Sequence, residues 1–265
     1  MPTPGHGSDL TLAPTLGPLV RASRRPVRAA FSALADLGFR SVQLDAGLPG
    51  IRPRELDQRA RRDLAAAALR AGLAITGIDL FIPRQHLLEP EHLDRATQAL
   101  FAALQFAADL GRVPLSVALP IAELSSEVTD ALLALADARG VMLAVHAEDQ
   151  PEALSAWIAE SGEGIAGIAL DPAPVLASQN DPVQRLQQAG KLLAISRLSD
   201  TQRGLGDGSR LPIGAGDLDI SGYRISADLA PDRLGPVVLD LRGLTDPAGA
   251  AAAGKRAWDN AAVKF

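Results

Sequence analysis

The sequence has no cysteine, few aromatic residues and no long apolar run. None of its 265 residues is Cys, which excludes disulfides, zinc–thiolate sites and thiol catalysis. No stretch of about 18 apolar residues is present to span a membrane. The first residues, Met-Pro-Thr-Pro-Gly-His-Gly, lack the basic and apolar parts of a secretion signal. We therefore expect a cytoplasmic protein with no membrane partner.

An excess of basic charge is also missing. The formal net charge is −5 and the isoelectric point is near 5.4, whereas a nucleic-acid surface needs a basic patch. Arginines concentrate at 21–28 and 52–62, but the second stretch mixes them with acids on a predicted helix, which is typical of a solvated face. We expect no nucleic-acid partner.

Apolar residues make up 47% of the chain and aromatic residues only 3%, so aliphatic side chains and alanine must fill the core. Strand-like and helix-like segments alternate along the whole length. We expect strands at 10–16, 41–45, 74–83, 113–119, 141–146, 164–171, 192–198 and 236–241. We expect helices at 26–38, 53–72, 91–111, 127–140, 151–161, 181–190, near 220–229 and at 248–262.

This alternation predicts parallel strands with right-handed crossover helices. A (β/α)8 TIM barrel occupying residues 1–265 as a single domain fits the number of units and the length. The alternative is an open doubly wound sheet, which usually shows a phosphate-binding glycine turn after its first strand. No such turn is present.

Ionisable residues follow almost every predicted strand. In a barrel these positions meet at one mouth, where the chemistry of this fold takes place. The fourth strand, which ends at Leu119, supplies none. The others supply Asp45, Asp79, His146, Glu148, Asp171, Arg197, Asp200 and Asp240.

Structural roles compete with a functional role for several of these residues. Asp45 and Asp171 stand where an aspartate caps a following helix. His146 is also compatible with a hydrogen-bonded wall position. Arg197 is expected to pair with Asp171 or Asp240, which does not exclude ligand binding.

Two loops add ligand-binding candidates. Arg84 and His86 lie just beyond the third strand, in a loop that either covers the mouth or is simply exposed. Residues 203–216 carry Arg203, Arg210 and several glycines. Late loops of this fold often bind phosphate through backbone N–H groups, although a lid or a plain turn explains the glycines equally well.

Several segments carry a resemblance to a known family. Residues 210–219 read Arg-Leu-Pro-Ile-Gly-Ala-Gly-Asp-Leu-Asp, and residues 167–174 read Gly-Ile-Ala-Leu-Asp-Pro-Ala-Pro. The first resembles the Pro-x-Gly-x-Gly-x-x-Asp loop, and the second the sixth strand, of the xylose-isomerase-like barrel superfamily. Residues 41–45, 141–148, 197–200 and 238–240 are similar to its second, fifth, seventh and last strands.

The resemblance implies a divalent-metal site, and the sequence departs from it. Asp171 matches a metal-binding aspartate. His146 stands in place of the fifth-strand glutamate, Arg197 in place of the seventh-strand histidine, and Asp240 in place of the eighth-strand glutamate. Pro174 replaces the histidine that follows Asp171. Because a guanidinium only donates hydrogen bonds and stays charged, Arg197 is not a metal ligand, and we expect neither the metal nor another cofactor.

The resemblance implies a sugar or sugar-phosphate isomerase or epimerase. In this hypothesis Glu148 or Asp240 is the base, and Arg197 with His146 stabilises the enediolate oxygen. The residues expected to contact a carbohydrate-like ligand are Asp45, Asp79, Arg84, His86, Asp171 and Arg210. The alternative is a catalytically inactive barrel that binds a small polyol, a carbohydrate-derived ligand or a protein partner. The related apurinic endonucleases need several metal-binding histidines and a basic surface, which this chain lacks.

Overall fold

Eight parallel strands form the centre of the fold in the computed structural model, which describes residues 11–205, 209–230 and 235–262. The strands are β1 (Leu12–Pro14), β2 (Ser41–Asp45), β3 (Ala74–Leu80), β4 (Leu115–Ala118), β5 (Leu143–His146), β6 (Ala166–Leu170), β7 (Leu193–Leu198) and β8 (Val237–Leu239). From β2 onward each strand pairs with the next, and β8 pairs with β1. A parallel bridge between Thr15 and Gln43 joins β1 to β2. The expected (β/α)8 barrel is confirmed, while Leu10, the expected start of the first strand, lies outside the described residues.

Helices connect the strands. They are α1 (Leu16–Ser23), α2 (Val27–Asp36), α3 (Gln58–Arg70), α4 (Pro90–Asp109), α5 (Ser126–Arg139), α6 (Pro151–Trp157), α7 (Pro172–Ala177), α8 (Pro182–Ala189), α9 (Ile220–Asp228) and α10 (Pro247–Asn260). A π-helical turn at Ile158–Gly162 follows α6. None of the helices in the described ranges combines the length and apolar character of a membrane span.

The expectation of one helix over 53–72 was wrong. Residues Pro53–Glu55 form a separate 3₁₀ turn. The helix α3 begins only at Gln58, because the Asp57 carboxylate accepts a hydrogen bond from the Ala60 N–H at 2.7 Å and caps it. The segment 46–57 is therefore a loop at the carboxyl end of β2.

A layer of apolar side chains lies inside the barrel next to the mouth. Ala144, Ala169, Ile195 and Val238 belong to one buried cluster. Each stands two residues before an ionisable residue: His146, Asp171, Arg197 and Asp240. Since alternate residues of a strand share a face, the same pleat that buries this layer directs the ionisable residues into the barrel.

Candidate functional site

Arg197 occupies the middle of the mouth and is fully buried. Its Nη2 group donates to Asp79 Oδ1 at 2.7 Å and to Ser116 Oγ at 3.0 Å. Its Nη1 group donates to Asp240 Oδ2 at 3.3 Å, and its Nε group donates to His146 Nε2 at 2.9 Å. The expected pairing with Asp240 is present, but the second carboxylate is Asp79 and not Asp171. One guanidinium therefore joins the ends of β3, β5 and β8.

Asp171 pairs instead with two other arginines. Arg210 forms an ion pair with its Oδ2 atom, and Arg242 Nη2 lies 3.5 Å from the same atom. Its Oδ1 atom accepts from Ser199 Oγ at 2.5 Å and from the Ala173 N–H at 3.2 Å, so Asp171 also caps α7. Burial alone would raise the pKa of Asp171, but Arg210, Arg242 and Arg197 together hold it below its ordinary value.

Asp240 has the densest set of positive neighbours. Arg242 binds it in a bidentate manner, with Nε 2.9 Å from Oδ1 and Nη2 2.5 Å from Oδ2. Arg210 Nη2 lies 3.3 Å from Oδ2, as does Arg197 Nη1. Although burial favours the neutral acid, Arg242, Arg210 and Arg197 lower the pKa of Asp240 far below its ordinary value. Burial alone would lower the pKa of Arg242, but Asp240, Asp79 and Asp171 together raise it above its ordinary value.

His146 links Glu148 to this network. His146 Nδ1 lies 2.7 Å from Glu148 Oε1. Arg197 Nε has only a proton to offer, so His146 Nε2 must accept from it, and the ring proton is on Nδ1. The imidazole is thus neutral and donates to Glu148, whose Oε1 atom also accepts from the Asp171 N–H at 3.0 Å.

The remaining predicted residues lie at the rim. Arg21 pairs with Asp45, which binds the Gly47 N–H at 2.8 Å and caps no helix. Arg84 pairs with Asp149 at 2.6 Å, across the loops that follow β3 and β5. The rings of His86 and His92 lie 4.5 Å apart. The structure therefore brings Asp79, His146, Glu148, Asp171, Arg197, Arg210 and Asp240 together, and leaves Asp45, Arg84 and His86 outside them.

Asp200 anchors the glycine-rich loop and is not part of the mouth network. Its buried carboxylate accepts hydrogen bonds from four backbone N–H groups, those of Thr201, Gly214, Gly216 and Leu218, at 2.9 to 3.1 Å. This arrangement fixes residues 214–218 and holds the segment that carries Arg210. Residues 206–208 of the expected loop lie outside the described residues.

Sequence reasoning missed three residues of the site and one at its rim. Arg242 lies in the turn that follows β8, and its position only two residues after Asp240 was a signal that the sequence offered. Ser116 lies inside β4, whose end showed no polar residue. Ser199 binds Asp171, and Arg21 lies on α1, a helix that was not expected.

A group of metal-ligand type lies away from the mouth. Among the residues that the structure describes, only Glu89, Glu91 and His92 bring three ligand-type atoms within 4.8 Å of one another. They are at the start of α4, and both glutamates are exposed.

Comparisons with known proteins agree on the architecture. The family model described as xylose isomerase-like TIM barrel matches residues 31–224. No curated protein matches the chain in sequence.

Solved structures align over nearly the whole chain at low identity. A xylose isomerase domain protein from Planctomyces limnophilus is 18% identical, with 95% of this chain and 94% of that chain covered and a TM-score of 0.70. A xylose isomerase-like TIM barrel protein from Mycobacterium smegmatis, in complex with magnesium, is 14% identical, with 96% of each chain covered and a TM-score of 0.71. The D-psicose 3-epimerase of Clostridium cellulolyticum H10, with D-tagatose, is 13% identical, with 95% and 99% covered and a TM-score of 0.72.

Proposed function

This chain belongs to the xylose isomerase-like TIM barrel family, and from that premise we propose a function. In this proposal the protein acts on a small sugar or sugar phosphate as an isomerase or epimerase, without a divalent metal. The observation that carries the proposal is Arg197, buried between Asp79 and Asp240 and bonded to His146. The sugar-epimerase neighbours support the class of ligand.

The residues of the mouth do not fit a divalent ion. Arg197 offers only donors, and its contacts lie where the family resemblance implies metal ligands. Asp171 and Asp240 already bind Arg210 and Arg242. A cation at this point would meet three guanidinium groups.

The arginines supply the positive charge that the reaction needs. Isomerisation or epimerisation beside a carbonyl removes a proton from carbon and leaves negative charge on oxygen. Arg210 and Arg242 keep 17% and 27% of their side chains exposed, whereas Arg197 is fully covered. We therefore assign contact with the developing oxyanion to Arg210 and Arg242, and assign to Arg197 the positioning of His146, Asp79 and Asp240.

Glu148 is the better base of the two candidates. Three arginines hold Asp240 as a strongly paired carboxylate with a lowered pKa, which makes it a weak proton acceptor. Glu148 is bound by His146 through one oxygen, and no hydrogen bond from the described residues reaches its other oxygen. In the proposed isomerisation step Glu148 takes the proton from the hydroxyl-bearing carbon beside the carbonyl and returns it to the former carbonyl carbon, while the hydroxyl proton passes to the former carbonyl oxygen. Epimerisation needs, in addition, an acid that returns the proton to the opposite face.

A second function, ligand binding without turnover, has one observation in its favour. Both ring nitrogens of His146 and the carboxylates of Asp79, Asp171 and Asp240 already have partners within the protein. A buried network in which the imidazole and these carboxylates all have partners also suits a structural role.

Deuterium exchange separates the two functions. The protein is incubated in D2O, with and without EDTA, together with D-fructose, D-tagatose or fructose 6-phosphate, and NMR follows the carbon-bound protons beside each carbonyl. We expect incorporation of deuterium in at least one sugar, loss of it in Glu148→Gln, and no change in the control Arg59→Gln. Stabilisation by a sugar without exchange would favour the second function, and exchange that EDTA abolishes would overturn the metal-free proposal.

A further inference from the structure

Three arginines line a cavity outside the mouth. The cavity has a volume of about 490 Å3 and lies between the loop after β2, the end of β3 and the outer side of α4. Its walls include Arg52, Arg54, Arg95 and Gln98, with Gly47 and Leu80 at the strand ends. No carboxylate is among the described residues that line it. The interpretation of 52–62 as a solvated face agrees with Arg54, which is exposed, while Arg52 is half-buried.

The positive charge of this cavity is only partly compensated. Glu55 offsets part of the charge of Arg52, with which it pairs at 3.2 Å, and of its chain neighbour Arg54. Arg54 and Arg95 make no ion pair within the part of the chain that the structure describes, although Glu91 and Asp94 are close to Arg95 along α4. The three guanidinium groups line one cavity whose walls hold no carboxylate among the described residues, and a bound anion would lower the repulsion between them.

The loop that carries Arg52 and Arg54 is held in place before any ligand arrives. Arg61 donates to the Pro53 carbonyl at 2.8 Å and to the Leu56 carbonyl at 3.2 Å, and pairs with Asp109 of α4 at 2.5 Å. Arg52 Nε donates to the Gly47 carbonyl at 3.0 Å. A fixed loop lowers the ordering cost of binding.

We propose that this cavity binds a small phosphate ester, with the phosphate held by Arg52, Arg54 and Arg95 and the organic part in the remaining volume. Guanidinium groups match phosphate oxygens through paired N–H donors, and Gln98 adds a neutral hydrogen-bonding group. A phosphate ion takes up about as much space as a few water molecules of about 30 Å3 each. The cavity is larger than that and has room for the organic part of the ester. The site is separate from Glu148, Arg210 and Arg242, so it stands whether or not the mouth is catalytic.

Calorimetric titration tests this site with glycerol 3-phosphate, inorganic phosphate and glycerol as probes. The double variant Arg54→Gln/Arg95→Gln is compared with Arg59→Gln/Arg62→Gln, which makes the same charge change at two exposed positions of α3 that do not line the cavity. We expect saturable binding of glycerol 3-phosphate, at least about tenfold weaker in the first variant and unchanged in the second, with weaker binding of inorganic phosphate and none of glycerol.

Three results would overturn the proposal. They are no saturable binding of the ester by the wild-type protein, equal weakening in both double variants, and binding of glycerol as tight as that of its phosphate. Circular dichroism of each variant confirms that a loss of binding is not a loss of folding. Deuterium exchange at the mouth is measured separately, so failure at either site leaves the other result intact.

Discussion

The centre of the mouth and its rim both hold arginine–carboxylate pairs, but the pairs at the centre are buried and the pair at the rim is partly exposed. Arg197 and Asp240 are completely covered, while Arg84 and Asp149 at the rim keep 31% and 56% of their side chains exposed. Removing one partner of a buried pair leaves an uncompensated charge in a poorly solvated place. Removing one partner of an exposed pair leaves a charge that water solvates. Sequence position alone did not separate the two regions, since both follow strand ends.

The largest effect is expected at Arg197. Arg197→Met keeps much of the side-chain volume but removes the 2.7 Å partner of Asp79, one of the three arginines around Asp240, and the donor to His146 Nε2. We predict a loss of about 5 kcal/mol in the free energy of unfolding, at the upper end for a broken buried pair. Urea denaturation measures it, and a loss below about 1 kcal/mol would show that the centre behaves like the rim.

Asp240→Asn gives a smaller, pH-dependent effect. The folded-state pKa of Asp240 is lowered, so its stabilising contribution is present above the ordinary carboxyl value near 3.8 and is lost as pH falls below it. We expect the variant to be less stable by about 3 kcal/mol near neutral pH. Thermal melts between about pH 7 and pH 3 should show the gap narrowing below about pH 4. A gap that is constant or widens in acid would contradict the assigned pairing.

Ser116→Ala tests the neutral member of the centre. Ser116 Oγ lies 3.0 Å from both Arg197 Nη2 and His146 Nε2. Its removal leaves a buried donor unsatisfied, which costs about 1–3 kcal/mol. Chemical denaturation gives the value, with Ser23→Ala at an exposed position as the control; equal stability of the two variants would be inconsistent with the network.

The smallest effect is expected at the rim. Arg84→Ala removes the partner of Asp149, and we predict a change below about 1 kcal/mol because both groups are solvated. The same denaturation assay measures it. A loss comparable to that of Arg197→Met would erase the distinction between centre and rim.

The barrel was predictable because strand-like and helix-like segments alternate so regularly, and β2 has the expected bounds, 41–45. Two short helices escaped prediction for a shared reason. The helix α1 has eight residues and α7 has six, and each begins two positions after the last residue of a strand. Segments this short carry little of the periodicity that identifies a helix, so in sequence they look like the loop after the strand.

The sequence identified the residues of the site better than it identified which of them pair with one another. Strand ends identified Asp79, His146, Asp171, Arg197 and Asp240, because the fold gathers carboxyl ends at one mouth. Which arginine meets which aspartate depends on side-chain reach across the barrel, and no spacing encodes it. Ser116 escaped for a related reason, since it contributes from inside β4 and not from the loop that follows.

Binding of Mn2+ tests most directly whether the arginines of the mouth occupy the place where the family resemblance implies a metal site. The metal content of the purified protein is measured first. Mn2+ is then titrated while NMR follows the imidazole signals. The titration uses the variant His92→Ala, which removes one ligand of the group formed by Glu89, Glu91 and His92 at the start of α4. We predict no stoichiometric metal and no saturable broadening of the His146 signal. One tightly bound equivalent that broadens His146 would contradict a metal-free centre built on Arg197.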